Sequence, residues 1–388
     1  LKKIEISPLV LIPSVLLFGL VAFAAGDRYS GQVALPFTKP AKEIDFSSLN
    51  DLYGMMQRNF HGDLTDEKAL DGAKAGLVSS GGDPYTAYLT AKEAKQLADD
   101  LTGKLSGIGA EIGIKNNILT IIAPIDDTPA ARAGLRAGDQ IARINSEDTT
   151  GMSVETAVSK IRGDKGTQVT LKLVRSGVAD PFDVTITRDN ITVPSVKSSL
   201  KNGNVAYINV TRFGPDTVDL VEEAARNLKR QGAKKVILDL RNDPGGYLDA
   251  AVGVSSQFLE AGALVVEEKG NQKDKLTARG GGLLIGLPTI VLINEGSASA
   301  SEIVAGALRD HKAARVVGEK SFGKGSVQEI KNLPGGAQLK VTVAHWYTPN
   351  GVNINKEGIK PDVEVKMNAE DYNANRDPQL DKALELLK

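Results

Sequence analysis

Cysteine is absent from all 388 residues, and histidine occurs three times, at His61, His311 and His345. The first absence removes disulfides, thiolate metal sites and a cysteine nucleophile together. The second leaves few imidazoles to act as a base. His311 follows a helix-like run, where it suits the negative end of the dipole, and His345 sits beside Trp346 in a strand-like run, where packing is expected. Neither sign of charge dominates: 47 basic residues face 48 acidic ones, so nothing points to a nucleic acid partner. Hydrophobic content of 41% and charged content of 24% are ordinary globular values. Nothing indicates a metal or a cofactor. At this length, two or three folded units are expected rather than one core.

One long uncharged apolar run is present, from Ile6 to Gly26, preceded by Lys2 and Lys3. Its length approaches the ~20 residues that span a bilayer, and the lysines favour a cytoplasmic N-terminus, which puts everything downstream outside. The "AFA" at 22–24 resembles a cleavage site, and Pro8 and Pro13 weaken a continuous helix. Residues 1–26 therefore read equally as a signal peptide or a membrane anchor. Residues 27–43 form a linker rich in breakers.

From 44 to 100, apolar residues recur at helical spacing in "FSSLNDLYGMMQRNF", "DEKALDGAKAGLVSS" and "TAKEAKQLADDL", which predicts a helical region with Met55, Met56 and Phe60 in its core. Between 101 and 188 the pattern changes to short β-branched runs broken by glycines, with one helical stretch, "SVETAVSKIRG". From 189 to 388 strands alternate with helices, the pattern of an α/β core with a largely parallel sheet. "SVQEIKNL", "PGG" and "AQLKVTVAHWYT" then predict a β-hairpin.

Ligand sites in such sheets lie where strands end and helices begin. Two junctions qualify. In "VILDLRNDPGGYLDA", Gly245 and Gly246 allow backbone N–H groups to approach a ligand, although a plain strand-to-helix turn explains the same residues. In "NEGSASASEI", Ser297, Ser299 and Ser301 alternate ahead of a helix. A serine there is equally a helix cap or a nucleophile at the positive end of a dipole, and local chemistry favours the cap. Downstream, Gly323 and Gly325 enclose Lys324 in "GEKSFGKGSVQE". Free lysine, with a pKa near ~10.4, needs burial or positive neighbours to serve as a base. Lys324, Ser326 and Gln328 share one face if a strand starts near Lys324.

The stretches "SGIGAEIG" and "TPAARAGLRAGDQIARIN" resemble a PDZ domain of the circularly permuted bacterial kind. The resemblance implies that Gly107, Ile108, Gly109 and Ala110 present N–H groups to a peptide's C-terminal carboxylate, while the peptide adds to the sheet edge. Together with "GDPYTAYLT", "LRNDPGG", "GSASASEI", "YTPNG" and "GIKPD", the chain from roughly Phe46 to Leu387 resembles a carboxyl-terminal processing protease, a tail-specific serine peptidase of family S41. That resemblance implies a multidomain α/β fold: an N-terminal helical region, a PDZ-like β-rich domain and a protease core of the ClpP/crotonase-like type. Family spacing implies Ser299 as nucleophile, Lys324 as base and Gln328 as the residue that positions the amine. By the same resemblance Gly245, Gly246 and Ala300 become oxyanion candidates, and Glu302, Asp310 and Ser321 supporting positions. Asp243 stands where the family commonly has Asn.

The implied activity is an extracytoplasmic serine endopeptidase acting through an acyl-enzyme on proteins with apolar C-termini, tethered to the membrane or released from it. The PDZ domain would feed or gate the site. An inactive PDZ scaffold is disfavoured by the intact Ser299, Lys324 and Gln328, and a crotonase-like acyl-CoA enzyme by the PDZ domain and export segment. Oligomeric state stays open.

Overall fold

The computed structural model describes residues 45–388 except 126, 271, 272, 369, 372, 373 and 375. The apolar segment 1–26 and the linker 27–43 lie outside the described residues. Among those described, no helix is long and apolar enough to cross a membrane.

The helix Ser47–Asn59 forms where its periodicity predicts. Its apolar face, however, is not in a core: Met55, Met56 and Phe60 are 57%, 38% and 54% exposed. A helical stripe specifies which residues share a face but not that anything covers it, so the packed position expected for these three residues is corrected.

Residues from Asp71 onward contain two separate cores. The larger is built on a six-stranded sheet with the order Val196–Lys201, Val205–Val210, Lys235–Asp239, Thr289–Ile293, Arg315–Gly318 and Val363–Glu364. The first pair is antiparallel and the rest are parallel. Lys235–Asp239 and Thr289–Ile293 are buried almost throughout, as strands covered on both faces must be. The helices Thr217–Arg230, Leu248–Ser255 and Ala300–Asp310 pack into one face, and Pro378–Leu386 covers the other through Ala383, joined by Leu387 just beyond its end.

A five-stranded antiparallel sheet is organised around Gln338–Tyr347, which pairs with Ser326–Asn332 in the expected hairpin. The same long strand also pairs with Ala87–Leu89 and Leu264–Gly270. Trp346 on it is 1% exposed, whereas His345 is exposed rather than packed. Adjacent residues of a strand point to opposite faces, so burial of one argues against burial of the other.

The smaller core belongs to a sheet ordered Ala110–Lys115, Ile118–Pro124, Gln140–Ile144, Gln168–Val174 and Phe182–Thr187, with the helix Val154–Ile161 against it. Its chain enters through Lys104–Gly107 and leaves through Asp189–Thr192, and these two segments pair antiparallel as a ribbon. The two apolar clusters share no residue, so the smaller module should lose stability by itself. Leu171 is fully buried in its centre. Leu171→Ala is expected to cost about 2–5 kcal/mol locally. Hydrogen exchange checks this: amides in 110–187 should exchange faster, while those of Lys235–Asp239 and Thr289–Ile293 hold.

Candidate active site

Lys235–Asp239 and Thr289–Ile293 are parallel neighbours, so the turns that leave their C-terminal ends run side by side. Ala298 N donates to Asp243 O at 3.0 Å, and Asn242 N donates to Asn294 Oδ1 at 2.8 Å. The three serines separate at this point. Ser297 is buried and its Oγ donates to Leu240 O at 2.8 Å. Ser301 is buried and its Oγ donates to Asp243 O at 3.0 Å. Both hydroxyls therefore hold the two turns together. Ser299 is half-buried and lines a cleft of about 380 Å³ that Lys324 and Gln328 also line.

Ser299 is the N-cap of the helix Ala300–Asp310, so capping and cleft positions coincide in one residue. Its φ of 54° is left-handed, a conformation that costs a non-glycine residue on the order of 1–3 kcal/mol. Strain of this kind at a strand-to-helix turn puts a side chain at the tip, clear of the helix. Gly245 supports the tip from below with a φ of 96°, and a Cβ there would sit 2.9 Å from Ser299 Cβ and 2.7 Å from Ala298 O. Only glycine allows that approach. The Gly245 N–H is taken by Asp243 Oδ1 at 2.8 Å. By contrast, among the described residues the N–H groups of Gly246 and Ala300 donate to no protein group, and both residues line the cleft.

Glu302 connects this turn to the lysine loop. Fully buried, its carboxyl accepts from Ser299 N at 2.8 Å, Ser321 Oγ at 2.6 Å, Gly323 N at 2.7 Å and Lys324 N at 2.9 Å. Burial pushes the carboxyl up from its ordinary value and the donors pull it back. All four partners donate, which is the environment of an ionised, acceptor-only group. Ser321 Oγ in turn accepts from Ile359 N at 2.6 Å. Asp310 is at the other end of the helix, about 15 Å along it, where it accepts from Asn350 N at 3.0 Å and takes no part in the cleft.

Lys324 is half-buried, and burial is the main cause that lowers its amine from the ordinary lysine value. Lys340, in the same cleft, lowers it further, while Glu302 and Asp83 oppose. The Nζ lies 5.5 Å from the centroid of the Tyr85 ring, and Trp346 Nε1 fixes the Lys324 carbonyl at 2.8 Å. Gln328 Nε2 donates to Ser326 Oγ at 2.8 Å and to Thr342 Oγ1 at 3.1 Å. Neither Gln328 nor Ser299 hydrogen-bonds to the amine in this state. The strand starts at Ser326, with a bulge between Val327 and Gln328.

Sequence reasoning missed Tyr85, Lys340, Arg212 and Trp346 as residues around the cleft. "GDPYTAYLT" marked the first without assigning it a role. The others carry no local signal, because strand pairing and packing bring them to the cleft. None of the three histidines lines the cleft. Among the described residues no cluster could hold a metal ion.

In the smaller module, Ala110–Lys115 is an edge strand, preceded by Ile108 and Gly109, whose N–H groups donate to no protein group among the described residues. Gly109 has a φ of 78° and presses on Thr128, whose Oγ1 donates to Gly109 O at 2.9 Å.

The profile of Peptidase family S41 matches residues 204–365, and a PDZ domain profile matches residues 120–175. The chain is 36% identical over 370 residues to the carboxy-terminal processing protease CtpA of Bacillus subtilis, covering 94% of this chain and 78% of that one. It is 41% identical over 307 residues to a carboxy-terminal-processing protease of Bartonella bacilliformis, covering 78% and 70%. Among solved structures it is similar to a photosystem II D1 C-terminal processing protease, with a TM-score of 0.53, 28% identity and coverage of 90% and 92%. A putative S41 protease from Bacteroides fragilis shares the fold, with a TM-score of 0.62 at 18% identity, covering 90% and 99%.

The geometry generates two expectations. Glu302→Gln presents an NH2 group to partners that are all donors. It should lower stability by about 2–5 kcal/mol and slow labelling of Ser299 by a fluorophosphonate about 100-fold, as read by thermal unfolding and probe kinetics. Lys340→Gln removes a cation that favours the neutral amine. The pH at which labelling switches on should therefore move upward, by up to about one unit, and an unmoved profile would exclude Lys340 from the electrostatics of the Lys324 amine.

Proposed function

The chain belongs to peptidase family S41, a PDZ-containing serine-type peptidase with carboxy-terminal processing proteases among its relatives, and from that premise we propose a serine–lysine mechanism. The observation that carries this reading is the sorting of the three serines: Ser297 and Ser301 are tied to the main chain, and Ser299 opens on the cleft shared with Lys324.

Neutral Lys324 takes the Ser299 proton as Oγ attacks the scissile carbonyl. The developing oxyanion is held by the N–H groups of Gly246 and Ala300, with the helix N-terminus behind them. The lysine then gives its proton to the leaving amine. An acyl-enzyme remains, and water hydrolyses it with the same amine as base. Serine and lysine close on one another with substrate in place, since catalytic hydrogen bonds are often loose in free enzymes. Gln328 re-aims its carbonyl oxygen to the amine at that stage.

The PDZ domain captures the substrate. A tail adds to the edge strand Ala110–Lys115, and its carboxylate meets the free N–H groups of Ile108 and Gly109. Ile112 on that strand and Val154 at the start of the helix Val154–Ile161 are partly buried against the module's core and match an apolar tail. The ribbon through which the module is inserted would carry a tail toward the cleft. The apolar run behind Lys2 and Lys3 supports a site of action outside the cytoplasm, at or released from the membrane.

The test uses an unstructured protein with an apolar tail. Ser299→Ala and Lys324→Ala should each lower its cleavage by about 1,000-fold or more while unfolding like the parent. Amidation of the tail should raise KM with less effect on kcat. Cleavage that survives both substitutions, or a substrate whose KM ignores amidation, refutes the corresponding part.

A further inference from the structure

Asp243 is a buried carboxyl that the serine–lysine mechanism does not use. It is fully buried in the "LRNDPGG" turn. Its main-chain oxygen receives Ala298 N and Ser301 Oγ, each at 3.0 Å. Its Oδ1 accepts from Gly245 N at 2.8 Å, and its Oδ2 is enclosed with no hydrogen-bond partner. The carboxyl is thus one hydrogen bond behind Gly245, where an added Cβ would crowd Ser299 Cβ, in the loop whose next residue, Gly246, lines the cleft with an N–H group that donates to no described protein group.

An ionised carboxylate with one oxygen desolvated and unpaired is expensive, and a neutral acid much less so. The charged neighbours do not change this. Arg212 pulls the group down from the segment after Val205–Val210, but not far enough to offset burial: its Nη2 is engaged by Asp216, and its Nε is buried with no hydrogen-bond partner of its own. Arg241, two residues upstream, is bound to Asp239 and Asp377. From the helix Ala300–Asp310 the neighbours are neutral Ser301 and then Glu302, whose carboxylate is turned to the other side of the Ser299 turn. Lys324 lines the cleft and makes no hydrogen bond to the Asp243 carboxyl.

We propose that Asp243 is a positioning residue that must be uncharged for turnover: as a carboxylic acid it holds the Gly245–Gly246 loop, and its ionisation switches the oxyanion site off. The inference rests on the reading of Ser299 as nucleophile and of the Gly246 and Ala300 amides as the oxyanion site. Negative charge develops on the substrate oxygen as Oγ attacks, and a carboxylate behind the same loop opposes it in a low-dielectric setting. The switch moves one proton, from Asp243 to solvent. Burial pushes this group up to about 8. Two ionisations then bound the active range: Lys324 must lose its proton and Asp243 must keep its own.

The same protonation has a sign in stability. The group's folded value lies above its unfolded one, so its contribution is complete at acid pH and is lost as pH rises through about 8.

The experiment is the pH dependence of kcat/KM on an apolar-tailed substrate for the parent, Asp243→Asn and Ser299→Ala, with infrared detection of protonated carboxyls. The parent should fall about tenfold per pH unit on the alkaline side, and Asp243→Asn, neutral and of the same shape, should lose that limb. A protonated-carboxyl band should titrate with the limb in the parent and be missing from Asp243→Asn. A merely structural Asp243 would alter unfolding and leave the limb in place, which overturns the proposal. A limb that vanishes in Glu302→Gln instead overturns it too. If Asp243→Asn does not fold, a parent profile flat to about pH 10, or no titrating band, decides against it. Cleavage that survives Ser299→Ala refutes the nucleophile itself. Cleavage lost there, with the alkaline limb intact in Asp243→Asn, refutes only the role of Asp243.

Discussion

A single buried carboxylate, Glu302, holds the Ser299 turn and the Lys324 loop in one frame. Its two oxygens take three backbone N–H groups and one hydroxyl, drawn from residues 299, 321, 323 and 324. Those donors come from the Ser299 turn and from the loop 321–324, so the separation of Ser299 and Lys324 is set by one side chain rather than by the sheet alone. Charge-assisted bonds of this kind are short and directional. They also leave the lysine side chain outside the network, free to gain and lose its proton while its backbone stays put.

The chemistry is placed where the parallel sheet leaves backbone groups unsatisfied. Strand ends and helix starts supply N–H groups, and here two adjacent strand ends supply two sets within one cleft. Holding them open requires that neighbouring donors be satisfied elsewhere. Ser297 and Ser301 bind Leu240 O and Asp243 O, and Asp243 takes Gly245 N. Among the described residues, Gly246 and Ala300 keep N–H groups that donate to no protein group. Further along the same edge, Arg241 joins Asp239 to Asp377 at the start of the C-terminal helix, and Tyr207 completes the pair through Asp239. That buried cluster pins the turn from the side away from the cleft.

The PDZ module meets this frame through a narrow connection. Its entry and exit strands pair with each other, and the Arg212 guanidinium lies so close to Gly103 that a Cβ there would be 2.3 Å from it. Arg212 also lines the cleft. The residue just before the module and the cleft thus share one side chain, which is a physical route by which the PDZ module and the cleft can influence each other.

Local signals in the chain determined much of this. Strand-helix alternation was enough for the parallel core, β-branched runs broken by glycine for the smaller module, and the PGG turn for the hairpin. The register of Ser299, Lys324 and Gln328 selected the middle serine only by resemblance, since N-cap chemistry treats the three alike. Tertiary structure decided the rest. It separated the serines by giving two of them carbonyl partners on a neighbouring strand's turn. It put Lys340 in the cleft with Lys324 across the hairpin, and Tyr85 beside the same amine, just ahead of a strand that pairs with Gln338–Tyr347. It left Met55, Met56, Phe60 and His345 in solvent although periodicity or a buried neighbour suggested cover. The physical reason is common to all of these. Periodicity and turn chemistry are properties of residues a few positions apart, whereas burial, the partner of a hydroxyl and the charge state of Asp243 depend on what the folded chain brings to that point from elsewhere.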